Sequence, residues 1–278
     1  MIIFHIGSVY LEQIVIVAGY VIALRDLRDI LDDPGKFRRD ILVQPGQSHA
    51  TKHDEAVEKI LNQMTLEEKV GQMAQVTVDI MKDRNTWKLS DSLMRKGIVD
   101  YKIGSLLNTW NNSAPELSEW FETLKTVQSY TQQTRLKIPL VYGVDAIHGA
   151  NYTNKATLFP QQIGQAATFN RSLVRRAAEI TAYETRAASL PWTFSPVLDL
   201  GIDVRWPRLW ETFGEDPYLA SELCVPYIQG VQKNGVAACV KHYALNNQEL
   251  WRGHIDVQLS DRALYEIRSE ERRVGKEC

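Results

Sequence analysis

Three polar clusters stand where apolar stretches of this sequence end. Leu140–Val144 (LVYGV) runs into Asp145-Ala146-Ile147-His148-Gly149. Trp192–Leu198 runs into Asp199, then Asp203, Arg205, Arg208 and Glu211. Val236–Val240 runs into Lys241-His242-Tyr243. There is no Gly-x-Ser-x-Gly elbow, no Gly-rich phosphate loop ending in Lys-Ser/Thr, no His-Glu-x-x-His and no dinucleotide fingerprint after a strand. The expectation is therefore no cofactor and no metal. Asp, Arg, Lys and His in one pocket suit a neutral polyol. A carboxylate accepts from adjacent hydroxyls while Arg and Lys donate to others.

Each residue has a rival reading. Asp145 could cap a helix or loop, since Asp is a common cap. Arg208 and Glu211 stand three apart, the spacing of a structural ion pair, which is the preferred reading for Glu211. Asp199 and Asp203, flanking Gly201, read as turn formers rather than acids. His148, just before Gly149, reads as a loop brace. Lys241 and His242 pose a geometric problem, because neighbours on a strand point to opposite faces. For both to reach one pocket the backbone must bend there.

The elements that would position these groups alternate. Val57, Ile60, Leu61 and Met64 have the spacing of one face of a helix over Asp54–Met64. Thr65 caps a second helix, with Glu68 completing a capping box and Val70 and Met73 turned inward. Ile103–Leu107 is a short strand and Glu116–Arg135 a long helix ended by Ile138-Pro139. Leu140–Val144 reads as a strand buried on both faces. Asn170 caps a helix to Ala188 that carries Leu173, Ala177 and Ile180. Strands Trp192–Leu198 and Val236–Val240 flank a helix from Tyr218 to Lys233. Alternating β and α elements predict a parallel sheet with helices outside, as a barrel or a doubly wound sheet. In either fold the C-terminal strand ends form the active face, which is where the three clusters lie.

The whole chain sets looser bounds. It has 278 residues, 44% hydrophobic and 24% charged, with a formal charge of −2. That balance is ordinary for a globular protein and gives no electrostatic reason to expect nucleic acid as a partner. Three cysteines make no disulfide framework and match no zinc spacing. The seven tryptophans and eleven tyrosines include flat faces suited to sugar rings, although most serve a core. The apolar run Ile14–Leu24 is shorter than a membrane span of about 20 residues. No basic segment precedes it and no small-x-small cleavage site follows, so it is read as a buried or spurious N-terminal extension over 1–53, with a degenerate signal or anchor as the alternative, and no compartment is assigned. At the other end, Ser260 or Asp261 can cap a helix in which Leu264 and Ile267 begin an apolar stripe. Residues 268–278 (RSEERRVGKEC) abandon that stripe and resemble translated sequencing-adapter read-through. The natural chain is expected to continue past Ile267.

Four segments resemble glycoside hydrolase family 3, the β-glucosidase group, across Asp54–Ile267. MTLEEKVGQM (64–73) is similar to the family's opening helix and GVDAIHG (143–149) to its sugar-binding loop. SPVLDLGIDVRWPRLWETFGEDPYL (195–219) is similar to its longest signature, and CVKHYALNNQE (239–249) to its Lys-His segment. The resemblance implies a (β/α)8 TIM-type barrel, incomplete at the C-terminus over 54–267. It implies that Asp145, Arg208, Lys241 and His242 bind hydroxyls of the nonreducing-end sugar. Family members carry a non-proline cis peptide at Lys-His. Pro207 stands where many members have Gly, and Val204 where they often have Pro; neither change touches Arg208. The family's N-acetylglucosaminidases use a Gly-His-Gly loop after Lys-His, which YALNNQE does not provide.

The activity so implied is that of a retaining, exo-acting β-glycosidase, with an oligosaccharide or glycoside as its partner. An Asp nucleophile and a Glu acid/base do the chemistry, about 5–5.5 Å apart in retaining enzymes. The family's nucleophile lies on a later strand in Ser-Asp-Trp or a similar tripeptide. Here Ser260-Asp261-Arg262 falls in a predicted helix cap, so no catalytic residue is assigned and the chain is expected to be inactive alone. β-Xylosidase and a noncatalytic carbohydrate-binding relative are the alternatives. An aldolase with Lys241 as a Schiff base is a third, from another class. Periplasmic or extracellular location fits the family.

Overall fold

The computed structural model describes residues 2–4, 14–16, 54–242, 246, 254, 256–260, 262 and 263. The remainder of the Ile14–Leu24 run, and the predicted stripe and tail from Leu264 onward, lie outside the described residues. Ser260 does cap as expected, its Oγ accepting from Ala263 N at 3.2 Å.

The sheet begins antiparallel and becomes parallel. Strand β1 (Ile2–Phe4) pairs antiparallel with β2 (Ile14–Ile16), and β2 antiparallel with β3 (Ala74–Thr77). Then β3, β4 (Ser105–Leu107), β5 (Val141–Val144) and β6 (Trp192–Thr193) run parallel, each beside its predecessor. A doubly wound sheet reverses its strand order to place helices on both faces. The parallel order here never reverses, which is the order of a barrel. Parallel bridges Trp192↔Ala237 and Val197↔Lys241 carry it one segment further. The fold is α/β, part of a TIM-type barrel.

All four predicted strands are shorter than the sequence reading, β4 by two residues and β5 by one, and the last two far more so. The segment 192–198 is ladder-like only at β6, and 236–240 pairs through isolated bridges instead of forming a strand. Proline explains much of this, because Pro191 and Pro196 have no N–H to donate to a ladder. Their carbonyls still take part, accepting from Ala237 N at 2.8 Å and Lys241 N at 3.1 Å.

The helices follow their capping signals closely and their predicted faces less so. Helix α1 spans Asp54–Leu61, short of Met64, and Val57, Ile60 and Leu61 are exposed. Helix α2 (Leu66–Met73) has the Thr65–Glu68 capping box. Val70 is exposed, contrary to expectation, and the buried positions are Glu68 and Gly71. Glu68 turns inward because Arg135 grips its carboxylate, Nε to Oε1 at 3.0 Å and Nη2 to Oε2 at 2.5 Å. Helix α3 (Asp91–Met94), continuing as a π-helical turn over Arg95–Asp100, has no counterpart in the predictions. Helix α4 (Leu117–Thr131) buries Trp120, Leu124, Val127 and Tyr130.

A short helix α5 (Gln162–Ala166) precedes α6 (Arg171–Ala187). Asn170 caps α6 through Ser172 N and Leu173 N at 3.0 and 3.1 Å, a contribution of about 1 kcal/mol. The buried stripe of α6 is Val174, Ala177, Ala178, Thr181, Ala182 and Thr185, while Leu173 faces out. That small-residue stripe lets α7 (Pro217–Lys233) approach closely. A Cβ on Gly230 would stand 2.6 Å from Arg175 O and 2.9 Å from Ala178 Cβ. One core lies between β3–β5 and α4 (Val76, Leu106, Tyr142, Trp120), the other between the 198–213 segment and α6–α7 (Leu198, Phe213, Tyr227, Val231).

Candidate functional site

Asp145 leaves the C-terminal end of β5 in a loop that is tied down at several points. Gly149 adopts φ 115°, where a Cβ would meet Thr157 O at 2.1 Å. His148 braces the loop as expected, Nδ1 lying 3.1 Å from Phe159 O and its own carbonyl accepting from Phe159 N at 2.8 Å. The Asn151 carboxamide donates to the Gly149 and Asp145 carbonyls at 2.9 and 3.1 Å. Trp120 Nε1 donates to Tyr152 O at 3.0 Å, anchoring the loop to α4. The Tyr152 side chain reaches Asp145, and burial together with the Asp145 and Glu211 charges pushes its phenol pKa well up.

The next strand end is fixed by a buried glutamine. Gln162 on α5 clasps Val197, Nε2 to O and Oε1 to N, both at 3.0 Å. Two residues later Asp199 is 1% exposed. The chain then passes Gly201, where a Cβ would stand 2.8 Å from Thr212 Oγ1. It continues through an exposed Asp203–Arg205 turn, with Arg205 N donating to Asp203 Oδ1 at 2.9 Å. Arg208 follows at the start of the 3-10 turn Leu209–Glu211. Asp203 is a turn former as expected. Pro207 and Val204 are exposed and leave Arg208 in place.

Lys241 and His242 arrive from the segment bridged to Val197. The peptide between them is cis, as is Ser195–Pro196. Both side chains enter one cluster. Lys241 Nζ donates to Asp145 Oδ1. His242 Nδ1 lies 2.5 Å from Asp199 Oδ2, which also accepts from His242 N at 3.1 Å. On the far side of the ring, Nε2 lies 3.2 Å from Arg208 Nη2. Arg208 is held bidentate by Glu211, Nε to Oε1 at 2.9 Å and Nη2 to Oε2 at 2.6 Å. Burial leads in lowering the His242 pKa, reinforced by Lys241 and Arg208 and opposed by Asp199, so the ring is neutral at pH 7.

The structure thus brings together all four predicted residues, Asp145, Arg208, Lys241 and His242, and Glu211 forms the expected ion pair. Asp199 corrects the sequence reading: it is a buried partner of His242 and not a turn former. A signal for it exists, because a carboxylate between Leu198 and Leu200 in an apolar run has to be paired when buried. The cluster combines the cations Lys241 and Arg208 with the carboxylates of Asp145, Asp199 and Glu211. Such near-balanced charge offers donors and acceptors without strong attraction for an anion.

A parallel barrel domain with a polar side-chain cluster of mixed charge at its C-terminal strand ends is the class that fold and site define. The chain belongs to glycosyl hydrolase family 3: residues 65–274 match its N terminal domain. It is 37% identical over 199 residues to the lysosomal beta glucosidase of Dictyostelium discoideum, covering 69% of this chain and 24% of that protein. It is 52% identical over 146 residues to beta-glucosidase BoGH3A of Bacteroides ovatus, covering 48% of this chain and 20% of that one. Among solved structures, a mutant beta-glucosidase from Listeria innocua in complex with laminaribiose superposes with a TM-score of 0.62 at 31% identity. That superposition covers 80% of this chain and 31% of the other. The chain spans a fifth to a quarter of the length of these curated relatives. Among the described residues no helix is long and apolar enough to cross a membrane.

Proposed function

We propose that this chain supplies the nonreducing-end sugar subsite of a retaining, exo-acting β-glycosidase, with a β-glucoside as the substrate class. The observation that carries this reading is the convergence of Asp145, Lys241, His242 and Arg208 at neighbouring strand ends. Acceptors and donors alternate across that cluster, as adjacent sugar hydroxyls require. Asp145 accepts from hydroxyls, Lys241 and Arg208 donate, and His242 completes the polar wall. The relatives named beta-glucosidases support the choice of glucose. In this reading residues 54–267 are the barrel portion, 1–53 an extension and 268–278 a foreign tail. The nucleophilic Asp and the acid/base Glu are not among these residues.

The test is direct binding of glucose to the purified chain, followed by saturation-transfer NMR with xylose as the comparison. Glucose should receive saturation more strongly than xylose, and Asp145→Ala should abolish the transfer. No transfer to glucose, or transfer undiminished in the Asp145→Ala variant, refutes the sugar subsite. Release of nitrophenol from p-nitrophenyl β-glucoside by this chain refutes the absence of the two catalytic carboxylates.

A further inference from the structure

We propose that Asp199 is a positioning residue that sets the tautomer of His242 and thereby makes Nε2 of that ring a hydrogen-bond acceptor facing the ligand. The assignment of a ligand hydroxyl to Nε2 rests on the sugar-subsite reading above; the tautomer itself does not.

The ring is flanked by groups that each have a single hydrogen-bonding sense. A carboxylate only accepts and a guanidinium only donates. Asp199 Oδ2 lies 2.5 Å from Nδ1, so Nδ1 carries the proton. Arg208 Nη2 lies 3.2 Å from Nε2, so Nε2 offers its lone pair. Only the neutral Nδ1–H imidazole satisfies both neighbours. The Asn246 carboxamide nitrogen Nδ2 also lies 3.0 Å from Nδ1, and because two donors cannot meet there, the Nδ1–H ring requires that carboxamide to turn its oxygen toward Nδ1.

Neither flank can turn away. Asp199 is 1% exposed and its Oδ2 is also bonded by the His242 backbone N–H. Its other oxygen, Oδ1, is buried without a hydrogen-bond partner among the described residues, so the carboxylate keeps its hold on the ring through Oδ2. Arg208 is clamped by both Glu211 oxygens. The same arrangement dictates what a ligand meets. Nε2 has one lone pair, so a hydroxyl reaching it donates its proton there in place of Arg208 Nη2, and its oxygen then accepts from the freed guanidinium N–H. Lys241 and Asp145 offer the opposite pairing across the pocket.

The experiment is a long-range proton–nitrogen correlation spectrum of the full chain labelled with nitrogen-15 histidine. His242 is assigned by its loss in His242→Gln, and glucose titrations are run in parallel. At pH 7 His242 should give the Nδ1–H pattern; an Nε2–H pattern or an imidazolium overturns the proposal. Asp199→Ala removes the acceptor at Nδ1 and should give a mixture of the two tautomers, because Arg208 alone still favours a free Nε2 lone pair, with glucose weakened severalfold. An unmixed Nδ1–H pattern in that variant overturns the proposal. Asp199→Asn keeps a carbonyl acceptor and should retain Nδ1–H, with glucose weakened less than about threefold. If Asp199→Ala does not fold, Asp199→Asn decides, and an Nε2–H ring there is the refuting result. A correct tautomer in a chain that does not bind glucose removes the sugar subsite and leaves the tautomer assignment standing.

Discussion

Lys82 gives the most quantitative handle on this domain. It follows β3 and pins the hairpin 82–89 at the C-terminal face, where it bridges Leu89. Its Nζ donates to Trp87 O at 3.1 Å and stands 3.7 Å from the Trp110 ring centroid. Only 5% of the residue is exposed. Burial brings its pKa down to about 8, against the pull of the Asp79 and Glu119 carboxylates. Below pH 8 the folded and unfolded chains both carry the proton, and folding bears the cost of desolvating it. Between pH 8 and the ordinary lysine value the folded chain has released the proton while the unfolded chain keeps it. Stability contributed by this residue therefore rises with pH. The gap is worth roughly 3 kcal/mol at high pH, about 2.5 kcal/mol of it reached by pH 10. Urea unfolding of the wild type and of Lys82→Met at pH 7 and pH 10 isolates the effect, since tyrosine and cysteine titrations are common to both. Methionine fills the space of the stem without the charge. The wild-type stability minus that of the variant should increase by about 2.5 kcal/mol between the two pH values. A difference that stays constant to within about 0.5 kcal/mol refutes the reasoning, and a decrease refutes its sign.

Two further substitutions probe the site and the frame beneath it. Arg208→Lys replaces a planar fork by a point charge, so the bidentate bond to Glu211 and the contact to His242 cannot both survive. Glucose binding measured by titration should weaken about tenfold or more, a loss of roughly 1.4 kcal/mol, and unchanged affinity would remove Arg208 from the pocket. Gly104→Ala places a Cβ 2.1 Å from Gln72 O, a backbone atom that cannot swing aside. The urea midpoint should fall by an amount equal to about 2 kcal/mol or more, and an unmoved midpoint would show that β4 and the end of α2 are less closely apposed.

What the sequence discloses here follows from how local each cause is. Strand β5 is legible because it is an apolar run with no proline, and the Thr65 and Asn170 caps are legible because donor and acceptor lie within three residues. The strand after Trp192 is not, because Pro191 and Pro196 break the ladder while the apolar pattern continues through them. The outward turn of Val70 is set by Arg135, 67 residues from the Glu68 it holds, and a helical wheel contains no such partner. The same distinction divides the site. Asp145, Arg208, Lys241 and His242 lie in polar clusters that follow apolar strands, which is a pattern along the chain, and the resemblance to the family selects these four from among them. Asp199 is part of that pattern too, yet its neighbour Gly201 offers a cheaper explanation as a turn. Only the fold supplies the deciding fact, that His242, 43 residues later, presents both a backbone N–H and a ring nitrogen to one buried carboxylate oxygen. A buried Asp in an apolar run therefore points to a partner that local sequence cannot name, and in this domain that partner is a member of the pocket.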